Sequence, residues 1–437
     1  MRIIQLTPGT GNYYCGSCMR DNALTRALLK RGHDVMMVPL YLPIVTDEPA
    51  TSLDVPIFLN GISVYLEQNI PLLRRMPEWL NRALRSPALL RLAARLADLT
   101  TAKSLGEAAV SMLQGENGRQ AGEMARLVDW LRTQPPPDVL CLSNSLLGGL
   151  TRRLKEQLRA PVVCTLQGED SFLDSLPEPY RRQAWELLAQ RCADSDHFIA
   201  VSRYFGDAMR ARLGLAAERV TVVPPGIAVD EFVPAPVAPE PPAIGYLARM
   251  HHAKGLGTLV EAFIQLKHEG RFPTLRLRVA GAQTGADARY VRTLQRKLAA
   301  QHLLEQTEFL PNLERRAKQE FLRSLTVFSV PATYGEAFGV YALEAMASGV
   351  PVVQPRHGAF PELLQQTGGG LLCAPDDPAA LAAGLQDLLL DPTRARRLGA
   401  VGCAAVRERF SVDAMTRQVE EVLQRVVQTF HPRVGSA

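Results

Sequence analysis

Two carboxylates separated by seven residues occur in the stretch from Tyr334 to Gly349, YGEAFGVYALEAMASG. The segment after Val340 has the composition of a helix, so we expect Glu344 in its first turns and Glu336 in the loop just before it. A helix start presents unpaired backbone N–H groups and the positive end of a dipole. A phosphate on these amides and polyol hydroxyls on the carboxylates are what a nucleotide-sugar would provide. The pattern therefore predicts a nucleotide-sugar site.

A single glutamate near a helix start is more often an exposed residue that the helix dipole stabilises. Here the glycine-containing turn, the second glutamate and the closing Gly349-Val350-Pro351 occur together. They are followed by a short apolar run that is typical of the next strand. The combination favours the binding site over the exposed glutamate.

Two cations occur further upstream, in a loop between a predicted strand and a predicted helix. Arg249 follows the strand Ala243-Leu247, and Lys254 precedes Gly255-Leu256-Gly257. Loops of this kind bind anions in parallel α/β sheets. Arginine supplies a forked contact and lysine a compact charge, and together they can offset the charge on a departing nucleoside diphosphate. The alternative is two solvated basic residues in a turn. Their place upstream of the two glutamates favours the phosphate site.

These segments resemble a known family of enzymes. The stretch from Tyr334 to Gly349 closely resembles the E-x7-E block of the retaining glycosyltransferases of family 4. Arg249 and Lys254 resemble the Arg/Lys pair of that family. The resemblance covers nearly the whole chain and leaves out only the stretch from about 41 to 130. The further matching segments are Met1 to Val35, Phe198 to Ser202, Val220 to Asp230, Pro361-Glu362 and Gly368 to Pro375.

The resemblance implies a role for each charged residue of the pattern. It implies that Arg249 and Lys254 bind the donor diphosphate. It also implies that Glu336 binds hydroxyls of the donor sugar and that Glu344 binds the ribose hydroxyls. No metal ion and no cofactor is expected, because the nucleoside-diphosphate sugar is a co-substrate and two cations serve the leaving group.

Backbone groups complete the donor site that the resemblance implies. The amides of Phe338 and Gly339 would meet the sugar or the phosphate. Leu310 lies where the family contacts the base with main-chain groups, and the following Pro311 replaces the usual glycine and removes one N–H donor. Gly16 lies where the family has a pair of glycines, with Cys15 in the other position.

The N-terminal half departs from the family at one position. The family usually carries a histidine in a pattern like H-G-x-D, and here the residues are Gln167-Gly168-Glu169-Asp170. Glutamine can hydrogen-bond a sugar hydroxyl but cannot titrate. In the retaining mechanism proposed for the family, the departing phosphate oxygen takes the acceptor proton, so no side-chain base is required. Glu169 and Asp170 are expected either to orient the acceptor or to cap the following helix. The predicted catalytic residues are Arg249, Lys254, Glu336, Gln167 and Asp170.

Composition and length agree with a two-domain globular enzyme. The chain has 437 residues, of which 47% are hydrophobic and 21% charged, which suits two domains of roughly 200 residues. It has no apolar run near 18 residues, and its first residues form a strand and loop rather than a signal segment. Seven scattered cysteines predict reduced thiols in a cytoplasmic protein. The net charge of +5 is too small to indicate nucleic acid.

Short apolar runs alternate with helical stretches, and the alternation restarts after the proline-rich segment Pro234 to Pro242. This pattern predicts an α/β protein with two doubly wound, Rossmann-like domains facing across a cleft, the GT-B fold. We expect an acceptor-binding domain over 1–232, a helical insertion at about 65–130, and a donor-binding domain over 233–411. A final helix over 412–437 is expected to pack on the first domain. The predicted strands are Ile3-Leu6, Val35-Pro39, Val139-Leu142, Val162-Leu166, Phe198-Val201, Val220-Val223, Ala243-Leu247, Leu275-Gly281, Thr307-Leu310, Val327-Val330, Val350-Val353 and Gly370-Cys373.

Three other patterns have two interpretations each. Cys15 and Cys18 form a C-x-x-C, which indicates either a redox or metal role or, as we favour without a second Cys/His pair nearby, a packed loop. Asp194-Ser195-Asp196 resembles a metal-binding D-x-D but fits a helix-to-strand turn. The basic, leucine-rich stretch near 70–100 is either an ordinary helical insertion or a peripheral contact with an anionic membrane.

The sequence thus predicts a cytoplasmic, metal-independent retaining glycosyltransferase of the hexosyltransferase type, acting in carbohydrate biosynthesis. It would move a sugar from a nucleoside-diphosphate sugar to a hydroxyl of a glycan, a lipid-linked acceptor or a small molecule. Nucleic acid is not an expected partner. The alternatives are a sugar-nucleotide epimerase or hydrolase of the same fold, and a non-catalytic protein that binds sugar-nucleotides at a membrane surface.

Overall fold

A computed structural model describes residues 1–9, 16–42, 55–58 and 102–430 of the chain. Cys15 and the basic stretch near 70–100 lie outside these ranges. The chain forms two compact units, the first from Met1–Val223 with Thr416–Ala437 and the second from Pro224–Met415. The boundary lies before Pro224 rather than after residue 232 as the sequence suggested. Residues following Pro224 belong to the second unit because Ile227 pairs with Ser411 and Glu231 forms an ion pair with Arg315.

Unit 1 is built on a six-stranded parallel sheet with the order β2-β1-β3-β4-β5-β6. Its helices alternate with the strands along the chain, as parallel pairing requires. The strands are β1 (Arg2–Thr7), β2 (Asp34–Pro39), β3 (Val139–Leu142), β4 (Val162–Leu166), β5 (His197–Ala200) and β6 (Val220–Val222). The helices are α1 (Gly16–Lys30), α2 (Ala102–Gln114), α3 (Ala121–Arg132), α4 (Thr151–Leu158), α5 (Glu169–Ser175), α6 (Tyr180–Cys192) and α7 (Arg203–Leu213).

Unit 2 repeats this plan with the strand order β12-β11-β10-β7-β8-β9, again all parallel. The strands are β7 (Ala243–Leu247), β8 (Arg276–Gly281), β9 (Thr307–Pro311), β10 (Val327–Phe328), β11 (Val352–Pro355) and β12 (Gly370–Cys373). The helices are α8 (Leu256–His268), α9 (Asp287–Ala300), α10 (Arg315–Arg323), α11 (Val340–Ala347), α12 (Phe360–Thr367), α13 (Pro378–Leu390), α14 (Pro392–Arg409) and α15 (Val412–Thr429). Helix α15 begins in unit 2 and continues into unit 1.

The predicted parallel α/β architecture is confirmed, and each of the twelve predicted strands is present. The central strands are buried along their whole length, for example VLCL in β3, VVCTL in β4 and AIGYL in β7. Strands covered on both faces read as continuous apolar runs, which is why the sequence revealed them. Within the described ranges, none of the helices is both long and apolar enough to cross a membrane.

The C-terminal helix contributes a polar contact to unit 1. Glu420 of α15 accepts a hydrogen bond from Arg31 Nε at 2.7 Å, and its other oxygen lies 2.7 Å from Nε2 of His33. Burial opposes ionisation of this carboxyl, but the contacts with His33 and Arg31 lower its pKa overall. The final helix therefore meets the end of α1 and the start of β2.

Each sheet has one point where the direction of strand addition reverses. In unit 1 this point lies between β1 and β3, and in unit 2 between β7 and β10. Val327 and Phe328 of β10 pair in parallel with Ile244 and Gly245 of β7, so the loops after both strands leave the same sheet edge. Ligands of open α/β sheets bind at the carboxyl ends of strands at such reversal points. Arg249 and Lys254 follow β7, and Glu336 follows β10.

Gly255 fixes the spacing of these two loops in unit 2. Its φ is +72°, and a Cβ there would lie 1.7 Å from the carbonyl oxygen of Pro331. The backbone N–H of Thr333 donates to the carbonyl of Ala253 at 2.9 Å, which ties the same loops a little further along. Only glycine permits both the left-handed conformation and this close approach.

We expect Gly255→Ala to destabilise the chain more than Gly270→Ala does. Both glycines have φ +72°, but a Cβ at Gly270 would meet nothing within 4 Å. Gly270→Ala therefore measures the left-handed strain alone, about 1 kcal/mol. Gly255→Ala adds the overlap with Pro331, for a total of roughly 3 kcal/mol or more. Chemical denaturation of the full chain measures both values. Equal losses in the two variants would mean that the loops are not held this closely.

Candidate functional site

Glu336 lies at the centre of a hydrogen-bonded cluster where the loops after β7 and β10 meet. Its Oε2 accepts from Lys254 Nζ at 2.5 Å, from the Tyr341 hydroxyl at 2.8 Å and from the Tyr334 hydroxyl at 3.2 Å. Lys254 also donates to the Tyr334 hydroxyl. The side chain of Glu336 is 12% exposed and that of Lys254 is 22% exposed. The structure thus brings together one predicted cation and one predicted anion.

The surroundings fix the protonation of this cluster. Burial alone would lower the pKa of Lys254, but Glu336 and then Tyr334 more than compensate, so the pKa is raised. Burial and the charge of Glu336 raise the pKa of Tyr334 to about 12 and that of Tyr341 well above its ordinary value. At neutral pH the lysine is therefore an ammonium group and both tyrosines are hydrogen-bond donors.

The three donors all use the same oxygen of Glu336. Among the described residues, none donates to its Oε1. A carboxylate can accept about four hydrogen bonds over its two oxygens. Glu336 is therefore anchored by one oxygen and has the other available for the hydroxyl of a ligand.

Backbone contacts position Glu336 beside the start of α11. The N–H of Ala359 donates to the carbonyl of Glu336 at 2.9 Å, and a Cβ at Gly358 would lie 2.6 Å from its nitrogen. Gly339, at φ +90°, precedes the first residue of α11. The Phe338 side chain is buried against Phe410, with ring centroids 6.0 Å apart. Phe338 and Gly339 can thus offer only backbone groups to a ligand, beside the free N–H groups of the helix start.

Glu344 belongs to a second ion pair. It lies in the second turn of α11, where its Oε1 accepts from Lys318 Nζ of α10 at 2.8 Å. Both side chains are largely buried. Its Oε2 receives no hydrogen bond from the part of the chain that the structure describes. Each carboxylate of the E-x7-E pattern therefore has its own lysine and one oxygen to spare.

Arg249 is held by a carboxylate that the sequence analysis did not identify. Its Nε donates to Asp287 Oδ2 at 2.9 Å, and Nη2 lies 3.5 Å from Thr284 Oγ1. Asp287 is buried, but the hydrogen bonds from Arg249 and Thr284 outweigh burial and lower its pKa. The Arg249 side chain remains 51% exposed. Asp287 and Thr284 orient its guanidinium group on one side, and the rest of the group is open to a ligand.

Leu310 is the residue whose main chain is predicted to contact the base of the donor. Leu310 lies in β9 at the edge of the sheet, paired with Ala280 of β8. Pro311 ends the strand. A role for the Leu310 main chain in binding the base stays a prediction.

In unit 1, Gln167 and Glu169 follow β4, and both are engaged with the chain that follows β3. The amide of Gln167 donates to the carbonyl of Ser143. Glu169 accepts from the N–H groups of Ser145, Gln167 and Gly168 at 2.8–2.9 Å and from the Ser145 hydroxyl at 3.2 Å. Burial raises the pKa of Glu169, and these hydrogen bonds oppose the shift. Both of its oxygens are occupied, so Glu169 joins two loops rather than presenting a free oxygen.

The remaining predicted residues of unit 1 are more accessible. Asp170 lies partly buried in the first turn of α5, and burial raises its pKa. Gly16 is the exposed first described residue of α1, and a Cβ there would meet no described atom within 4 Å. The role of Asp170 toward the acceptor and that of Gly16 in the donor site stay predictions. Cys18 is a buried thiol 3.7 Å from Thr7 Oγ1.

The Asp194-Ser195-Asp196 segment is a helix-to-strand turn, as we favoured. Asp196 accepts from the Val162 N–H at 2.8 Å and from Lys155 at 2.7 Å. The described ranges contain no group of three or more His, Cys, Asp or Glu side chains arranged to hold a metal ion.

The residues missed by the sequence analysis are Tyr334, Tyr341, Asp287 and Lys318. The two tyrosines lie inside the quoted motif, on either side of Glu336, and their hydroxyls are the signal that could have identified them. Asp287 and Lys318 lie 38 and 26 residues from their partners Arg249 and Glu344. Local pattern carries no signal for such distant pairs.

Two family models match adjacent parts of the chain. The model described as "Glycosyltransferase Family 4" matches residues 106–231. The model described as "Glycosyl transferases group 1" matches residues 230–402 and includes the clusters around Glu336, Glu344 and Arg249. The chain belongs to the glycosyltransferases of family 4.

Individual proteins agree with this result. The D-inositol 3-phosphate glycosyltransferase of Xylanimonas cellulosilytica is 32% identical over 254 residues, which are 54% of this chain and 58% of the relative. This chain thus spans a little over half the length of that relative. Sucrose-phosphate synthase from Thermosynechococcus elongatus matches with a TM-score of 0.72 and 18% identity, over 98% of this chain and 100% of that one. HepE from Anabaena in complex with UDP gives 0.69 and 17%, over 97% and 100%. These structural likenesses confirm the GT-B fold class.

We expect Glu336→Gln to lower the pKa of Lys254 relative to the unchanged protein. The substitution keeps the size of the side chain but removes the charge that offsets burial of the ammonium group. The NMR chemical shift of the isotopically labelled Lys254 side chain, followed with pH, measures this pKa.

Glu344→Gln is the matched control, because it removes a carboxylate that binds Lys318 instead. It should leave the pKa of Lys254 unchanged. A Lys254 pKa that is the same in the unchanged protein and in Glu336→Gln would contradict the ion pair.

Proposed function

We propose that this family 4 glycosyltransferase moves a sugar from a nucleoside-diphosphate sugar to an acceptor hydroxyl, with retention of anomeric configuration and without a metal ion. The observation that carries the proposal is the anchoring of Glu336 by Lys254, Tyr334 and Tyr341 at the strand-order reversal of unit 2. This arrangement presents a free carboxylate oxygen, an ammonium group and a helix start at one sheet edge.

The hydrogen-bonding groups that the three ion pairs leave without a partner among the described residues suggest how the donor binds. The exposed part of Arg249 and the remaining N–H of Lys254 would take the diphosphate. Glu336 Oε1 would accept from a hydroxyl of the sugar, and Glu344 Oε2 from the ribose hydroxyls. The amides of Phe338 and Gly339 would meet the sugar or phosphate, and the Leu310 main chain the base. The UDP bound to HepE, a protein of the same fold, supports a nucleotide as the ligand class.

The same cations would serve the chemical step. As the bond between the sugar's anomeric carbon and the phosphate oxygen breaks, negative charge develops on the diphosphate, and Arg249 and Lys254 stabilise it. This supports catalysis without a metal ion. The acceptor oxygen bonds to the anomeric carbon on the same face, and its proton passes to the departing phosphate oxygen.

Unit 1 would supply the acceptor side of the reaction. Gln167 cannot titrate, so we assign it hydrogen bonding to a hydroxyl, with the half-buried Asp170 orienting the acceptor. A reducing, cytoplasmic location, which the seven scattered cysteines predict, stays part of the proposal. Contact of the basic stretch near 70–100 with a membrane stays part of the proposal.

We expect the donor to raise the thermal midpoint of the full chain. A panel of UDP, GDP and ADP sugars identifies which base and sugar bind. Arg249→Ala and Glu336→Ala should abolish the shift, because they remove a phosphate contact and the hydroxyl acceptor.

Arg292→Ala and Glu305→Ala are the matched controls, because both side chains are exposed on the surface of unit 2. They should respond to the donor like the unchanged protein. A normal shift in Arg249→Ala and Glu336→Ala would overturn the donor site.

We expect transfer to continue after dialysis against EDTA, with no gain on adding Mg²⁺ or Mn²⁺. The product anomer, determined by NMR, should match that of the donor. Lys254→Ala should lower kcat by about 10²-fold, because it removes charge stabilisation of the leaving group. Lys297→Ala, which removes an exposed lysine paired with Glu261, is the control. A strict metal requirement or an inverted anomer would contradict the proposed mechanism, and donor turnover that is indifferent to acceptors would favour the epimerase or hydrolase.

A further inference from the structure

Helix α1 buries an unusual set of polar side chains against the sheet of unit 1. Its buried residues include Arg20, Asp21, Asn22 and Thr25. Arg20 is 6% exposed and Asp21 is fully buried. Helices that cover a parallel sheet normally bury apolar side chains there. A polar face of this kind therefore requires an explanation beyond packing.

Asp21 is the centre of the buried cluster. Its Oδ1 accepts from Arg20 Nη1 at 3.1 Å, and its Oδ2 accepts from the Ser143 hydroxyl. The Thr7 hydroxyl also bonds this carboxyl. Thr7 ends β1 and Ser143 follows β3, so the cluster lies at the strand-order reversal of unit 1. Ser143 also accepts from the amide of Gln167. The cluster is thus linked to a residue that we place on the acceptor side of the reaction.

One edge of the Arg20 guanidinium group has no partner within the described ranges. Its Nε and Nη2 are both buried, and neither forms a hydrogen bond with a described residue. A buried donor without a partner is destabilising, because the hydrogen bond that it made with water in the unfolded chain is not replaced. These two N–H groups form the parallel fork that matches two oxygens of a carboxylate or phosphate.

Arg191 is a second buried arginine of unit 1, and it provides a comparison for Arg20. It is 7% exposed. Its Nε donates to the carbonyl of Leu113, Nη2 to the carbonyl of Gln114 and Nη1 to Glu116. All of its edges are satisfied within the chain. Arg20 is oriented by Asp21 through one nitrogen, and its forked edge is left without a partner among the described residues.

We propose that the free Nε and Nη2 edge of Arg20 binds a two-oxygen anionic group, a carboxylate or a phosphate, carried by the acceptor. This inference rests on the proposed glycosyl transfer, because it describes the acceptor of that reaction as an anionic molecule. Asp21, Ser143 and Thr7 hold the guanidinium group in position, and Gln167 lies on the same hydrogen-bonded chain. The acceptor would therefore be recognised by its charge at the end of β1 and by its hydroxyls near Gln167.

Calorimetric titration of the full chain with glucose 6-phosphate, glucuronate and glucose tests this inference. UDP is added at a saturating concentration to occupy the proposed donor phosphate site. Binding of the phosphate or carboxylate of a probe can then be attributed to unit 1. We expect at least one of the two anionic probes to bind, and the better one identifies phosphate or carboxylate as the group. Arg20→Lys keeps the charge but loses the fork, and it should weaken that probe about tenfold or more. Glucose should bind weakly and equally in both proteins.

Arg132→Lys is the control, because this arginine is exposed at the end of α3. It should leave the affinities unchanged. Equal weakening in the two variants, equal binding of glucose and the anions, or no binding of either anion would overturn the proposal.

A second measurement uses the unchanged protein, so it does not depend on whether the Arg20→Lys variant folds. In the unchanged protein, the NMR signal of the Arg20 Nε–H should shift when the bound anion is added and stay fixed with glucose. An unmoved signal at saturation would overturn the proposal. This readout does not depend on donor binding. A donor site that fails its own tests would therefore leave the Arg20 result standing, and a failure at Arg20 would leave the donor site standing.

Discussion

The ion pair between Lys254 and Glu336 is the interaction on which the site in unit 2 depends. It joins the loops that follow β7 and β10, and a buried charge on either side would be costly without the other. Tyr334 and Tyr341 complete the pair by filling the carboxylate oxygen that faces the lysine. Gly255 and Gly358 permit the close backbone approach that brings the loops together. The unoccupied oxygen of Glu336 is thus the product of a rigid arrangement around it.

Remaining hydrogen-bonding capacity separates the side chains that we propose to bind a ligand from those that only hold the fold together. Glu169 and Glu336 both follow strands near a reversal point, and both are largely buried. Glu169 uses both oxygens for the chain itself, whereas Glu336 uses one. The arginines differ in the same way, since Arg191 is fully satisfied and Arg249 is held through part of its guanidinium group. Residue type and burial alone would not have distinguished these cases.

The sequence predicted the parts of this molecule that depend on local pattern. Central strands such as β3, β4 and β7 are apolar runs because both faces of each sheet are covered, and α11 begins where its composition changes at Val340. The partners of the predicted site residues depend on contacts far apart in the chain, such as Lys318 with Glu344. The predicted domain boundary, after residue 232, also differs from the boundary between the two compact units, which lies before Pro224. The proline-rich segment suggested a linker, but the preceding residues are tied to unit 2 by Ile227 and Glu231.

The buried polar face of α1 could not be predicted from the spacing of apolar residues in the sequence. Arg20, Asp21 and Asn22 occur in a stretch that has the spacing of an ordinary helix, and nothing local indicates that they turn inward. They are tolerated because Thr7 ends β1 and Ser143 follows β3 at this point, and the hydroxyls of both residues bond the Asp21 carboxylate. A reversal of strand order like the one at the proposed donor site of unit 2 therefore gives unit 1 an edge where polar side chains can be buried. The hydrogen bond from Arg20 to Asp21 pairs one side of the guanidinium group and thereby orients the edge that has no partner among the described residues.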